Sequence, residues 1–136
     1  MTERKAGRVL VVDDENALCE VLKARLETFG YLASVAFNGR QAWDQVLADP
    51  PDLILLDIRM PEEDGYTFLK RLRSYREPAN HEREQRFRKL PVIVMTGTGE
   101  GMKPLFEQEN IAAYITKPID SSLLRKLIAD SLKASS

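Results

Sequence analysis

Apolar blocks and amphipathic blocks alternate along the whole chain. "RVLVVD" (Arg8–Asp13) is short, β-branched and bounded by charge, which predicts a buried strand. From Asn16 to Phe29, Leu18, Val21, Leu22, Leu26 and Phe29 recur at helical spacing, and Gly30 follows as a stop. "LASVAF" predicts a second, weaker strand, ended by the turn signal Asn38-Gly39. Ala42, Trp43, Val46 and Leu47 stripe the next helix, which Pro50-Pro51 closes. "DLILLD" is a third strand, and Gly65 opens a helix carrying Phe68, Leu69 and Leu72. "LPVIVMT" and "AAYIT" are the fourth and fifth strands. Asp120 then caps a last helix lined by Leu123, Leu124, Leu127, Ile128 and Leu132.

Repeated strand–helix units imply a parallel sheet with right-handed crossovers and helices on both faces. Two segments break the rhythm. Residues 73–89 (RSYREPANHEREQRFRK) are too long and too charged for an ordinary helix-to-strand loop. Arg73, Arg76, Arg83, Arg86, Arg88 and Lys89 outweigh Glu77, Glu82 and Glu84 there, so the segment reads as a solvated helix extension plus loop. The functional alternative is a docking surface for an acidic partner. After Thr96, Gly97, Gly99, Gly101 and Pro104 oppose a regular helix start.

Composition narrows the class. A length of 136 residues is one domain's worth, and a formal charge of −1 points to neither a nucleic acid nor a membrane surface. The lone Cys19 excludes an internal disulfide framework and fits a reducing cytosol. The start, MTERKAGRVLVVDD, lacks the apolar stretch of a secretory signal, and no apolar run reaches membrane-spanning length. The expectation is a soluble, cytoplasmic α/β protein.

The chemistry gathers where such a fold binds ligands, beyond the carboxyl ends of the strands. Those ends carry Asp13 and Asp14, Asp57, Thr96, and Lys117 ahead of Pro118. Taken singly, each has an ordinary explanation: a helix cap, a turn start, a strand-end hydroxyl, a solvated amine. Their coincidence at successive strand ends does not. Clustered carboxylates repel unless a cation intervenes, and an oxygen-rich, partly hydrated site suits Mg²⁺.

As a set, "VLVVDDE", "DLILLDIRMPEEDG", "VIVMTG" and "YITKP" resemble the signature blocks of the receiver domain of two-component response regulators, the chemotaxis-type single-domain receiver included. The likeness covers essentially the whole chain and implies one receiver domain over residues 1–136, with a core at about 8–133. It implies the flavodoxin-like, doubly wound, five-stranded sheet of order 2-1-3-4-5, for which a receiver is a standard example. By the same resemblance, Asp57 accepts a phosphoryl group from a histidine kinase or histidine phosphotransfer protein. Asp14, Asp57 and the backbone carbonyl of Arg59 hold Mg²⁺, with Mn²⁺ as its substitute, and Asp13 acts through water. Lys117 and Thr96 meet the phosphoryl oxygens. Thr96 and Tyr114 form the switch that an output protein or domain reads, in a monomer or a phosphorylation-linked dimer. Such a module is enzymatic only in catalysing its own phosphorylation and dephosphorylation. Arg59 and Thr98, each two residues past a site residue, are positions that tune phosphoryl lifetime.

The sequence also departs from the family pattern. The segment Gly97–Asn110, where the resemblance puts a fourth helix, is glycine-rich and short, and Asn110-Ile111 replaces the usual Gly-Ala. A short or mobile helix is expected there. Three other classes fit less well. A receiver-like interaction module that takes no phosphate would not require all five strand-end residues. An aspartyl-phosphate hydrolase places a second carboxylate where Arg59 stands. Flavin or nucleotide binding needs a phosphate cradle or P-loop lysine that these loops lack. His81, inside the insertion, receives no catalytic role, and Cys19 reads as packing. Past the fifth helix the chain holds no DNA-binding or catalytic region, which leaves open a stand-alone receiver or one domain of a longer protein.

Overall fold

The computed structural model describes residues 7–58, 65–97 and 110–135. Five strands, β1 (Arg8–Val12), β2 (Leu32–Ala36), β3 (Leu53–Asp57), β4 (Val92–Thr96) and β5 (Ala113–Thr116), pair in the order β2-β1-β3-β4-β5. Every neighbouring pair is parallel. The helices among the described residues are α1 (Asn16–Thr28), α2 (Gly39–Ala48), α3 (Gly65–Arg73), α4 (His81–Arg88) and α5 (Ser121–Ser135). None is long and apolar enough to cross a membrane.

Strand alternation divides the core in two. Val9, Val11, Leu53, Leu55, Ile93 and Met95 face α1 and α5, meeting Cys19, Leu22, Leu26, Leu124 and Ile128. Leu10, Val12, Ile54, Leu56, Val92 and Val94 face the other way, onto Ala42 and Val46 of α2 and Phe68, Leu69 and Leu72 of α3. β3 and β4 are buried at every position, which is why their sequences read as unbroken apolar runs. The predicted punctuation holds. Gly30 takes a positive φ of 101° to end α1, the Asn38 side chain accepts from the Gln41 N–H at 2.8 Å, and Asp120 accepts from the Leu123 N–H at 2.8 Å.

The insertion departs from expectation. α3 stops at Arg73, and a separate helix, α4, follows instead of an extension. Asn80 caps it by accepting from the Arg83 N–H at 3.0 Å. Glu82 and Glu84 occupy its first turn, and Arg86 and Arg88 its last, so both ends complement the helix dipole. A backbone N–H, that of Glu77, donates to the Glu84 carboxylate at 2.7 Å and holds its pKa below the usual range. Phe87 is fully buried on the α2/α3 side of the core. Its ring lies 4.6 Å from that of Tyr75 and 6.3 Å from that of Trp43.

Four of the six basic side chains bond back to the fold as well. Arg73 donates to the Arg88 carbonyl and Arg88 to the Arg73 carbonyl, each at 3.1 Å. Arg83 reaches the Leu47 carbonyl at 3.1 Å and Arg86 the Pro50 carbonyl at 3.2 Å. These cations serve as ties between α4, α3 and the α2–β3 turn, and Arg83, Arg86 and Arg88 also pair with Glu77, Asp52 and Glu84. Ahead of β5, Asn110 adopts a left-handed backbone with φ 60°, a conformation asparagine tolerates better than most residues. That explains how it stands in for glycine. The remainder of the segment expected to hold a short helix, residues 98–109, lies outside the described residues.

If Phe87 is what makes the insertion part of the core, Phe87→Ala should cost roughly 3–5 kcal/mol of unfolding free energy. Asn80→Ala should cost only about 1 kcal/mol, the worth of one cap. Urea titration followed by circular dichroism measures both, and a Phe87→Ala protein as stable as its parent would show that α4 is merely appended.

Candidate functional site

The strand register brings the predicted residues together. Val12 pairs with Leu56 and Asp57 with Met95, so one further step up the sheet sets Asp13 beside Asp57, between β1 and β4. Thr96 pairs with Thr116, and the next residue, Lys117, ties its N–H to the Thr96 carbonyl at 2.8 Å. The Lys117-Pro118 peptide bond is cis.

Asp13 is wholly buried and Asp57 nearly so, while Asp14 is exposed. Carboxylate oxygens of all three lie within 4.8 Å of one another. The Lys117 Nζ donates to Asp13 Oδ2 at 2.9 Å and stands 3.6 Å from Asp57 Oδ2. The other Asp13 oxygen accepts from the Glu15 N–H at 2.9 Å. Asp13 therefore also takes up part of the capping role that its sequence position suggests, since Glu15 at the start of α1 makes no side-chain cap of its own. Burial works against the Lys117 ammonium, but the Asp13 hydrogen bond and the charges of Asp57 and Asp13 outweigh it and raise the lysine's pKa. The amine is thus held charged.

Among the described residues, three carboxylates against one ammonium leave an excess of negative charge in a poorly solvated place. The donor set fits a hard divalent cation. All the ligand atoms are oxygens, they are few, and the exposure of Asp14 admits the waters that Mg²⁺ retains. Thr96, nine-tenths buried, borders the group on β4. Tyr114, partly buried, lies on β5 opposite Val94 and packs into the core on the α2/α3 side, the sheet face that Thr96 shares by strand alternation. Arg59 and Thr98 lie outside the described residues. His81 begins α4, and Cys19 is buried on the core face of α1 with its thiol donating to the Asp13 carbonyl at 3.2 Å.

One residue carries more than the sequence suggested. Gly65 reads as a helix opener, yet a Cβ there would sit 2.4 Å from the Asp57 carbonyl oxygen and 2.9 Å from the Ile58 Cα. α3 starts directly against the backbone of the buried aspartate, and only glycine permits that approach. The signal in the sequence was the glycine itself.

Comparison with known proteins agrees with this geometry. The sequence model of the family "Response regulator receiver domain" matches residues 9–129. The response regulator Rre1 of Synechocystis is 34% identical over 126 residues, covering 91% of this chain and 51% of that protein. The transcriptional regulatory protein ZraR of Escherichia coli K12 is also 34% identical, with 91% of this chain and 26% of that protein covered. The chain thus spans about half or less of the length of these relatives. Among solved structures, the signal receiver domain of a histidine kinase from Syntrophus aciditrophicus is 31% identical with a TM-score of 0.80, covering 95% of this chain and 92% of that one. A CheY-like receiver from Methanospirillum hungatei, 23% identical, gives a TM-score of 0.81 over 96% of each chain, a likeness of fold.

Two outcomes follow from the packing around Asp57 and Asp13. Gly65→Ala should lose roughly 1–3 kcal/mol of stability and shift the Asp57 amide resonance, because backbone has to move. Unchanged stability with an unmoved Asp57 signal would mean that the contact is slack. Burial, reinforced by the Asp13 charge, pushes the Cys19 thiol up to about 11. The folded protein at pH 8 should therefore resist a thiol-reactive disulfide reagent that labels it at once in urea. Prompt labelling of the folded chain would place Cys19 at the surface.

Proposed function

The chain belongs to the response regulator receiver family and is a phosphorelay signalling domain; from that premise we propose that Asp57 is its phosphoacceptor. The observation that carries the reading is the Lys117 ammonium set 2.9 Å from Asp13 and 3.6 Å from Asp57 while three carboxylates converge. An Asp57 carboxylate oxygen forms a bond to phosphorus as the bond between phosphorus and a donor's imidazole nitrogen breaks. The electron pair stays with the ring nitrogen, which takes up a proton. A loose transition state of this kind asks for positioning and charge neutralisation more than for covalent chemistry.

Lys117 supplies part of that neutralisation, moving its ammonium from carboxylate to phosphoryl oxygen. Asp14 and Asp57 would hold Mg²⁺, or Mn²⁺ in its place, with Asp13 acting through water and the Arg59 carbonyl added by resemblance; the ion supplies the rest of the positive charge. The Thr96 hydroxyl donates to another phosphoryl oxygen. The burial of Asp57 keeps water from the acyl phosphate. Thr96 and Tyr114, on one sheet face, are the switch: drawing the hydroxyl toward phosphate opens room for the ring.

The donor is a histidine kinase or histidine phosphotransfer protein. The switched face is read by an output protein or by a further domain of a longer polypeptide, as the greater length of the relatives suggests. We take residues 1–136 as one receiver domain, monomeric or dimerising on phosphorylation, acting in the cytoplasm without direct contact to nucleic acid or membrane. The alternative of an interaction module that is never phosphorylated leaves the buried acidic cluster and its ammonium without a purpose.

Incubation with acetyl phosphate and Mg²⁺ should add one phosphoryl group per chain by intact mass, and none with EDTA present or in Asp57→Asn. A folded Asp57→Asn protein that still gains the mass refutes the assignment. Lys117→Met should slow acceptance roughly 10²-fold. Beryllofluoride with Mg²⁺ should move the Tyr114 ring resonances, and a Tyr114 that stays put would remove the switch while leaving the acceptor intact.

A further inference from the structure

Lys117 sits on a short connection between β5 and α5, and its position is only as good as that connection's anchoring. At one end the Lys117 N–H is tied to the Thr96 carbonyl at 2.8 Å. At the other, Asp120 caps α5, its side chain accepting from the Leu123 N–H and its carbonyl from the Leu124 N–H. Between them the Ile119 side chain is buried in the α1/α5 half of the core. The Ile119 carbonyl accepts from the Arg25 guanidinium at 3.1 Å, a bond that crosses 94 residues of sequence. Arg25 belongs to the last turn of α1, and side chains on a helix lean toward its N-terminus, here toward the acidic cluster. α1 also meets the acidic loop near its own start, where the Cys19 thiol donates to the Asp13 carbonyl. One rigid helix thus touches both the strand end that carries Asp13 and the loop that carries Lys117.

We propose that Arg25 is a positioning residue for Lys117: by holding the Ile119 carbonyl it fixes the β5–α5 connection against α1 and so sets the ammonium at its working distance from Asp13 and Asp57. This rests on the reading of Lys117 as the group that meets the incoming phosphoryl. A charged donor is suited to the task, because a charge-assisted bond to a carbonyl is stronger and better directed than a neutral one. The carboxylates do not lie on this connection, so loosening it leaves the cation's ligands in place, and a retreat of the competing ammonium favours the cation.

The experiment measures the rate of phosphoryl gain from acetyl phosphate with Mg²⁺, by intact mass, together with the dissociation constant for Mg²⁺ alone from amide shifts. Arg25→Met should slow phosphoryl gain roughly three- to tenfold, as a small misplacement of a charged group does. Its Mg²⁺ dissociation constant should not rise more than about twofold above the parent's, since Asp13, Asp14 and Asp57 are untouched. Arg25→Lys, which restores a cationic donor, should recover at least half of the lost rate. Arg125→Met serves as the control: the Arg125 guanidinium lies 5.4 Å from the Phe29 ring centroid and joins α5 to the end of α1, both residues lying outside the connection. It should lower the melting temperature and leave the rate alone.

Parental rate in Arg25→Met, a parallel loss of Mg²⁺ affinity, or equal slowing in Arg125→Met overturns the proposal. Should Arg25→Met fail to fold, Arg25→Gln keeps a neutral donor and is expected to show the same split between rate and metal affinity. A parent chain that gains no phosphoryl at all defeats the phosphoacceptor reading, an outcome distinct from failure of Arg25 alone.

Discussion

The ammonium of Lys117 facing the carboxylates of Asp13, Asp14 and Asp57 is the constraint around which the described residues are arranged. Asp13 has no exposure to solvent, and a carboxylate so placed is costly unless paired and hydrogen-bonded. It has both a lysine at 2.9 Å and a backbone N–H at 2.9 Å. The pair is no device for stability, because apolar residues of similar volume would often do as well or better in its place. Its value lies in the imbalance it leaves. Lys117 answers part of the negative charge of Asp13 and Asp57 and leaves Asp14 facing water, so the site has an appetite for a further cation and for a group that brings oxygens to the ammonium.

The sheet delivers that arrangement with little adjustment. Every strand runs the same way, so every carboxyl end lies along one edge, and the register alone sets Asp13 beside Asp57 and Lys117 one step past Thr96. Alternation then sorts the roles by face. Asp57 follows Leu53 and Leu55 on the α1/α5 side, while Thr96 follows Val92 and Val94 on the α2/α3 side, the side into which Tyr114 packs. The charge chemistry and the proposed switch thus meet at the strand ends from opposite faces. In the proposed switch a change at the acidic cluster reaches Tyr114 by way of Thr96, the hydroxyl that closes β4 on the face Tyr114 shares.

Much of this was legible in the sequence because parallel strands announce themselves. Apolar runs such as "LILL" and "VIVM", spaced by striped helices that Asn38 and Asp120 open and Gly30 closes, fix both the order of elements and the ends where polar residues must gather. What escaped notice shares one physical character: it depends on contacts far apart in the chain or on a side chain that is missing. Gly65 matters for the Cβ it lacks, opposite a backbone that only folding brings near. Arg25 bonds to a carbonyl, and a backbone acceptor leaves no trace in the residue type that carries it. α4 was hidden for a third reason. Its charge-rich sequence shows no apolar period, and the isolated Phe87 that anchors it supplies one buried position where a stripe is usually needed.

The placement of α4 argues for a division between the parts of the molecule that hold it together and the part that does chemistry. Its ties run to Leu47, Pro50 and Arg73, at the turn before β3 and the end of α3, and the chain leaves it through Leu90 into the start of β4. Those points all lie at the amino ends of the strands, whereas Asp57 and Thr96 close the carboxyl ends of strands of five residues. At about 3.3 Å per residue the two poles are roughly 16 Å apart. An insertion at the amino pole gains contacts with Trp43, Tyr75 and the α2–β3 turn without entering the register that aligns the acidic cluster. The same separation keeps so charged a segment away from the site: the guanidinium groups of Arg73, Arg83, Arg86 and Arg88 make their bonds at the amino pole, and the ammonium of Lys117 meets the carboxylates at the other.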